Sequence, residues 1–176
     1  MDLLLPAASW LMAAAALVSA GACLAARRAV PWQGRQAAVV MAVGMLLVAA
    51  GITGALGALL LGALMLVSGM IGTMGVRGAA SAAGCCHRAL GALVMAICAF
   101  HSAAGAGGQG VTPAGHAGHG LGGALGALLV LGTVAVVGWT LAAALRPTGH
   151  RGRTARLLAV ESWAMAIGVV AMGIAG

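Results

Sequence analysis

Apolar residues run along this chain in long stretches separated by short polar or glycine-rich gaps. A helix that crosses the hydrocarbon core of a bilayer needs about 20 mostly apolar residues. Leu3 to Ala26, Cys85 to Gly105, Leu121 to Leu145 and Leu157 to Ala175 each come to about that length. Gln36 to Gly75 is twice as long and has no charge in its middle. As one helix it would reach about 60 Å, against a hydrocarbon thickness of about 30 Å. Gly51-Ile52-Thr53-Gly54 supplies a natural turn inside it, so the stretch divides into two spans joined by a tight loop. The pattern predicts an all-α fold: a polytopic integral membrane helical bundle in a single domain over 1–176. Its six transmembrane helices cover about 3–26, 36–51, 55–75, 85–105, 121–145 and 157–175.

Composition removes the soluble alternative. Of the 176 residues, 62% are hydrophobic and 6% charged, where a soluble domain carries roughly a quarter charged. There are too few polar side chains to make a shell, so lipid covers the outside. All nine cationic residues are arginines, and they fall in three gaps. Arg27, Arg28 and Arg35 occupy the first, Arg77 and Arg88 flank the second, and Arg146, Arg151, Arg153 and Arg156 crowd the third. The alternating gaps carry none. Arginine is kept on the cytoplasmic side of polytopic proteins, so both termini are expected outside, in a bacterial cytoplasmic membrane. The net charge of +7 reads as topogenic and as an attraction for anionic headgroups. Nucleic acid is not an expected partner, because the arginines sit at helix ends and Trp32 is the one aromatic residue among them.

The first span is not expected to be cleaved. Val18-Ser19-Ala20 resembles a signal-peptidase site, but Asp2 stands where a basic n-region belongs and the arginines follow the apolar run. Cys23, Cys85 and Cys86 fall at cytoplasmic helix ends and Cys98 inside the membrane, so the cysteines read as small buried hydrophobes and not as a disulfide framework. Small residues recur as Ala58 with Gly62, as Gly69, Gly72 and Gly75, and as Gly122 with Gly126. Such spacings let transmembrane backbones approach closely.

Polar groups inside the membrane are costly and are the first candidates for chemistry. Glu161 is the one acidic residue beyond Asp2. It lies five residues past Arg156, about 7 Å into the sixth helix at helical rise. His87 stands at a similar depth on the fourth, beside Arg88. A pair with His87 or with Arg88 would lower the cost of burying Glu161, and His87 with Glu161 is the expected intramembrane polar pair. On the fourth helix, His87, Leu90, Gly91, Val94, Cys98 and His101 share one stripe. The spacing His87-x13-His101 also matches that at which one helix ligates two stacked b-type haems, with Met165 and Met172, or a second subunit, to supply the opposing ligands.

Metal ligands of two other kinds are present. The long external loop contains His116 and His119, separated by two small residues, and His101 ends the helix before it. Imidazoles suit copper, zinc or nickel. Met41 and Met45 share a helix face at i, i+4, and Met95, Met165 and Met172 stand on the fourth and sixth helices. Thioethers select Cu(I). The candidate metal set is therefore His101, His116, His119, Met41, Met45, Met95, Met165 and Met172, with a copper ion as the expected cofactor.

Arg35 to Leu47, RQAAVVMAVGMLL, resembles a helix of an uncharacterised family of small bacterial multi-pass membrane proteins that repeats His-x-x-Met-x-x-x-Met on several helices. Met41 and Met45 match both methionines, with Ala38 at the histidine position. On the fourth helix His87 matches the histidine, with Leu90 and Val94 replacing the methionines. On the sixth, Met165 matches one methionine, with Ser162 and Val169 at the other positions. The pattern implies copper binding in the family, and the departures imply a lost or relocated site here.

No nucleophile–base set, phosphate loop or paired carboxylates occur, so the chain is not expected to be an enzyme. Two functions remain. One is capture of copper or another transition metal by outward histidines and its passage to bundle methionines. The other is a structural or accessory role in the bilayer, as a homo-oligomer or beside a membrane partner subunit. A reporter active only outside the cytoplasm is expected to be active when fused after Gly176. Activity of a cytoplasmic reporter there would reduce the six spans to five.

Overall fold

The computed structural model describes residues 4–75, 78, 81–107, 121–145 and 152–175. Six helices account for nearly all of them: α1 (Leu4–Ala25), α2 (Trp32–Ala49), α3 (Ala55–Thr73), α4 (Ala82–Gly107), α5 (Leu121–Leu145) and α6 (Arg153–Ala175). Each is long and apolar enough to span a bilayer, and the chain is a polytopic helical bundle. Three helices begin three or four residues before the apolar runs that predicted them. α2 starts at Trp32, α4 at Ala82 and α6 at Arg153. Their first turns mix arginine, glutamine, threonine and glycine with apolar residues, so they carry a weak hydropathy signal. Pro31 precedes α2 in an extended conformation at its N-cap.

The turn predicted at 51–54 is built on Gly51, whose φ is +67°. Its N–H donates to the Val48 carbonyl at 3.0 Å, and the N–H of Ile52 donates to the Leu47 carbonyl at 3.3 Å. Those two bonds form a Schellman motif and satisfy carbonyls that the end of α2 would otherwise leave bare. In lipid such satisfaction is obligatory.

The helices form a ring in chain order, each packed on its sequence neighbours, with α1 closing against α6. α4 also crosses the ring to touch both α2 and α6, so it is the hub. The closest approaches are made by small residues. Gly62 of α3 lies against the Phe100 ring, and Gly69 faces Ala89 and Ala92, so α3 lies tightly along α4. Gly168 of α6 sits against Ala15 and Met12 of α1. Not every predicted small-residue pair packs. Gly126 has open space beside it, and α5 instead docks through Gly132, which receives Val94 of α4. α5 is the most exposed helix, with only Val136 and Thr140 fully buried among its described side chains.

Cys23, Cys85 and Cys98 are buried, as expected, whereas Cys86 is exposed. Successive helical positions differ by about 100°, so burying Cys85 turns its neighbour outward. Replacing Gly51 by alanine should cost about 1 kcal/mol, because a Cβ is disfavoured in the left-handed region. Thermal unfolding in detergent measures this, and Gly57→Ala, at a roomy site with ordinary φ, should not share the loss.

Candidate functional site

The arginine-bearing end of the bundle holds a buried ion pair. Glu161 on α6 is bound by Arg88 on α4, not by His87. Nε of Arg88 donates to Oε1, and Nη2 donates to Oε2 at 2.7 Å. Both residues are almost fully buried, at 5% and 3% exposure. The expected His87–Glu161 pair is therefore replaced by its neighbour, for a geometric reason. Guanidinium presents two parallel N–H groups that match both carboxylate oxygens, which a single imidazole cannot do.

The guanidinium passes close to two glycines. A Cβ on Gly34 of α2 would come within 3.5 Å of Arg88 Nη1, and one on Gly84 within 3.4 Å. The side chain runs past both glycines, at distances where a methyl group would make ordinary contact. The Cys23 thiol lies beside it, and also 3.9 Å from the Gly34 carbonyl. Arg88 is thus a structural charge inside the bundle, unlike Arg27, Arg28, Arg153 and Arg156, which are exposed. Arg35 is half-buried; Arg77, Arg146 and Arg151 lie outside the described residues.

His87 is 4% exposed, and neither ring nitrogen has a hydrogen-bond partner. His101, at the other end of α4, is half-buried, with its Nδ1 also without a partner. His116 and His119 fall outside the described residues. No three His, Cys, Asp or Glu side chains converge among the described residues.

Sulfur converges instead. Met41, Met45, Met95, Met165 and Met172 are all buried in one core, joined by Met12 and Met65. Two small cavities run through it. One, of about 10 Å³, is lined by Met41, Met45, Met95 and Met165. The other, of about 110 Å³, is lined by Met45, Met65, Met95 and Met172 with the Cys98 thiol. Met45 and Met95 face both. Gly91 takes the Met165 sulfur against its Cα, with the Met41 methyl beside it, so α2, α4 and α6 meet at that notch. Met65 comes from α3 and belongs to the set, although its helix carries no histidine signal to single it out. Met70 and Met74 are exposed.

These cavities are below the roughly 300 Å³ at which small-molecule pockets begin, so Met165 and Met172 do not border a space for haem. His87 faces a different cavity, which no methionine or second histidine lines. The stacked-haem geometry therefore lacks its opposing ligands among the described residues.

Fold and interior together define a six-helix membrane protein with a thioether-lined core and one buried ion pair. No family model, curated protein or solved structure matches the chain.

Breaking a buried pair leaves a bare charge, at a cost of about 3 kcal/mol or more. Arg88→Met alone is expected to destabilise the bundle by about that much, while Arg88→Met with Glu161→Gln regains a large part of the loss. Chemical or thermal unfolding of the single and double variants measures the coupling.

Proposed function

We propose that this chain is a copper-handling protein of the bacterial cytoplasmic membrane, with its arginine-rich end in the cytoplasm. The observation that carries the reading is the convergence of Met41, Met45, Met65, Met95, Met165, Met172 and Cys98 from four helices on two adjoining small cavities, the larger of which reaches the α2–α3 turn. Soft thioether donors favour Cu(I) over Mg(II) or Ca(II). A monovalent ion also costs less to bury in such a core than a divalent one. Met45 and Met95, which face both cavities, would pass the ion between the two sets. His101, His116 and His119 would capture copper on the outer side, where arginine is missing from the sequence and no positive charge repels a cation. The resemblance to helices with repeated His-x-x-Met-x-x-x-Met fits a member whose histidines have moved to the entrance.

A second reading has its own support. Met165 fills the notch at Gly91 and Met65 the notch at Gly44, which is what packing alone asks of an adaptable side chain. The chain would then be a structural or accessory membrane subunit.

Metal analysis separates the two. Purified protein loaded with copper under reducing conditions should retain about one ion per chain. Met45→Leu with Met95→Leu, a nearly volume-conserving change, should abolish retention while leaving the thermal transition within a few degrees. His116→Ala with His119→Ala should slow loading more than it lowers the final content. Retention near zero in the intact protein sinks the copper reading and leaves the structural one.

A further inference from the structure

A cavity of about 640 Å³ lies between α4, α5 and α6 at the arginine-bearing end. It shares no lining residue with the sulfur core and plays no part in the copper reading. Its inner wall holds His87 and the Arg88–Glu161 pair; Arg156 stands at its rim. Trp139 of α5 and Trp163 of α6 also line it, and both are more than 40% exposed. The remaining walls are largely the alanine faces of these helices.

Three features describe the molecule that fits. The first is a hydrogen-bond acceptor for His87. This imidazole is buried with both nitrogens unpartnered, in a place where an unmet polar group is costly. In either protonation state it has at least one N–H to give. The second is negative charge. Arg88 and Glu161 cancel each other, both carboxylate oxygens being held by the guanidinium, and Arg156 has no ion pair among the described residues, so the cavity carries a net positive charge. The third is an apolar body. His87 is five residues into α4, about 8 Å along its axis, and the alanine walls and the two indoles would be uncovered by a small anion alone. Indoles favour the boundary between headgroups and acyl chains.

We propose that this cleft binds an anionic phospholipid. Its phosphate accepts from Arg156 and, after a turn of the buried imidazole that opens one ring nitrogen to the cleft, from His87, and an acyl chain lies along the gap between α5 and α6. A lipid there would also explain why α5 has so little protein around it: the bound molecule supplies packing that the helix lacks. Basic pockets between transmembrane helices on the cytoplasmic side are a known place for such headgroups.

The test is native mass spectrometry of the full chain released from bilayer discs of phosphatidylglycerol or of phosphatidylcholine, with inorganic phosphate as a third probe. The wild type should retain about one phosphatidylglycerol and no matching phosphatidylcholine. His87→Ala should lower retention about tenfold, and Arg156→Gln about fivefold. Arg156 is exposed, so its variant folds even if His87→Ala does not. Arg153→Gln removes an exposed arginine of the same helix that does not line the cleft, and should leave retention unchanged. Equal losses for Arg153→Gln and Arg156→Gln would mean diffuse attraction and overturn the site. So would equal retention of phosphatidylcholine, or inorganic phosphate that displaces the lipid and stabilises the protein alone.

Discussion

The bidentate contact between Arg88 and Glu161 holds the arginine-bearing half of this bundle together. A lone carboxylate or guanidinium at this depth would cost several kcal/mol, so neither helix can move away from the other without exposing a bare charge. α4 is thereby tied to α6 across the ring. The guanidinium passes Gly34 and Gly84, and α2 is drawn in against the same side chain. The hub position of α4 follows. It is the one helix whose side chains must reach α2, α3, α5 and α6 together.

Toward the other end none of the described residues is charged, and shape replaces the ion pair. Lipid tails are as apolar as the side chains, so burial as such gives little drive and close packing must supply it. Glycine notches receive Phe100, Met65, Met165 and Val94 in turn. Methionine suits that task because its unbranched chain bends to fit irregular gaps. The consequence for chemistry is that sulfur collects wherever the packing is least regular, and those places are also where small cavities remain. Packing and soft-metal binding therefore draw on the same atoms, and volume-conserving substitution is what tells them apart.

The two ends thus divide the possible chemistry. Hard, polar and ionic groups lie at the arginine-bearing end, around a wide cleft open beside α5. Thioethers line the small cavities of the bundle core, the larger of which reaches the α2–α3 turn. α5 belongs fully to neither: it meets α4 through one glycine notch and leaves most of its surface to lipid.

Helix number and order were legible in the chain because each apolar run has the length of a bilayer, and the Gly51 turn was legible because one run was twice too long. The helix starts at Trp32, Ala82 and Arg153 were not, since polar residues or glycine in a first turn look like a loop to hydropathy. Met41 and Met45 announced a shared face by their spacing, but Met65 and Met12 gave no local sign of joining them. His87 and Arg88 are adjacent and equally deep, so both were open as partners for Glu161. A helical step of about 100° separates their directions, and the packing of α4 between α2 and α6 decides which one points at the carboxylate. The chain alone determined a six-span membrane protein with its charge at one end, because length and hydropathy are local quantities. The ion pair, the orphaned imidazole with its cleft and the joined sulfur cavities were decided by tertiary structure, because each depends on how helices distant in sequence rotate against one another.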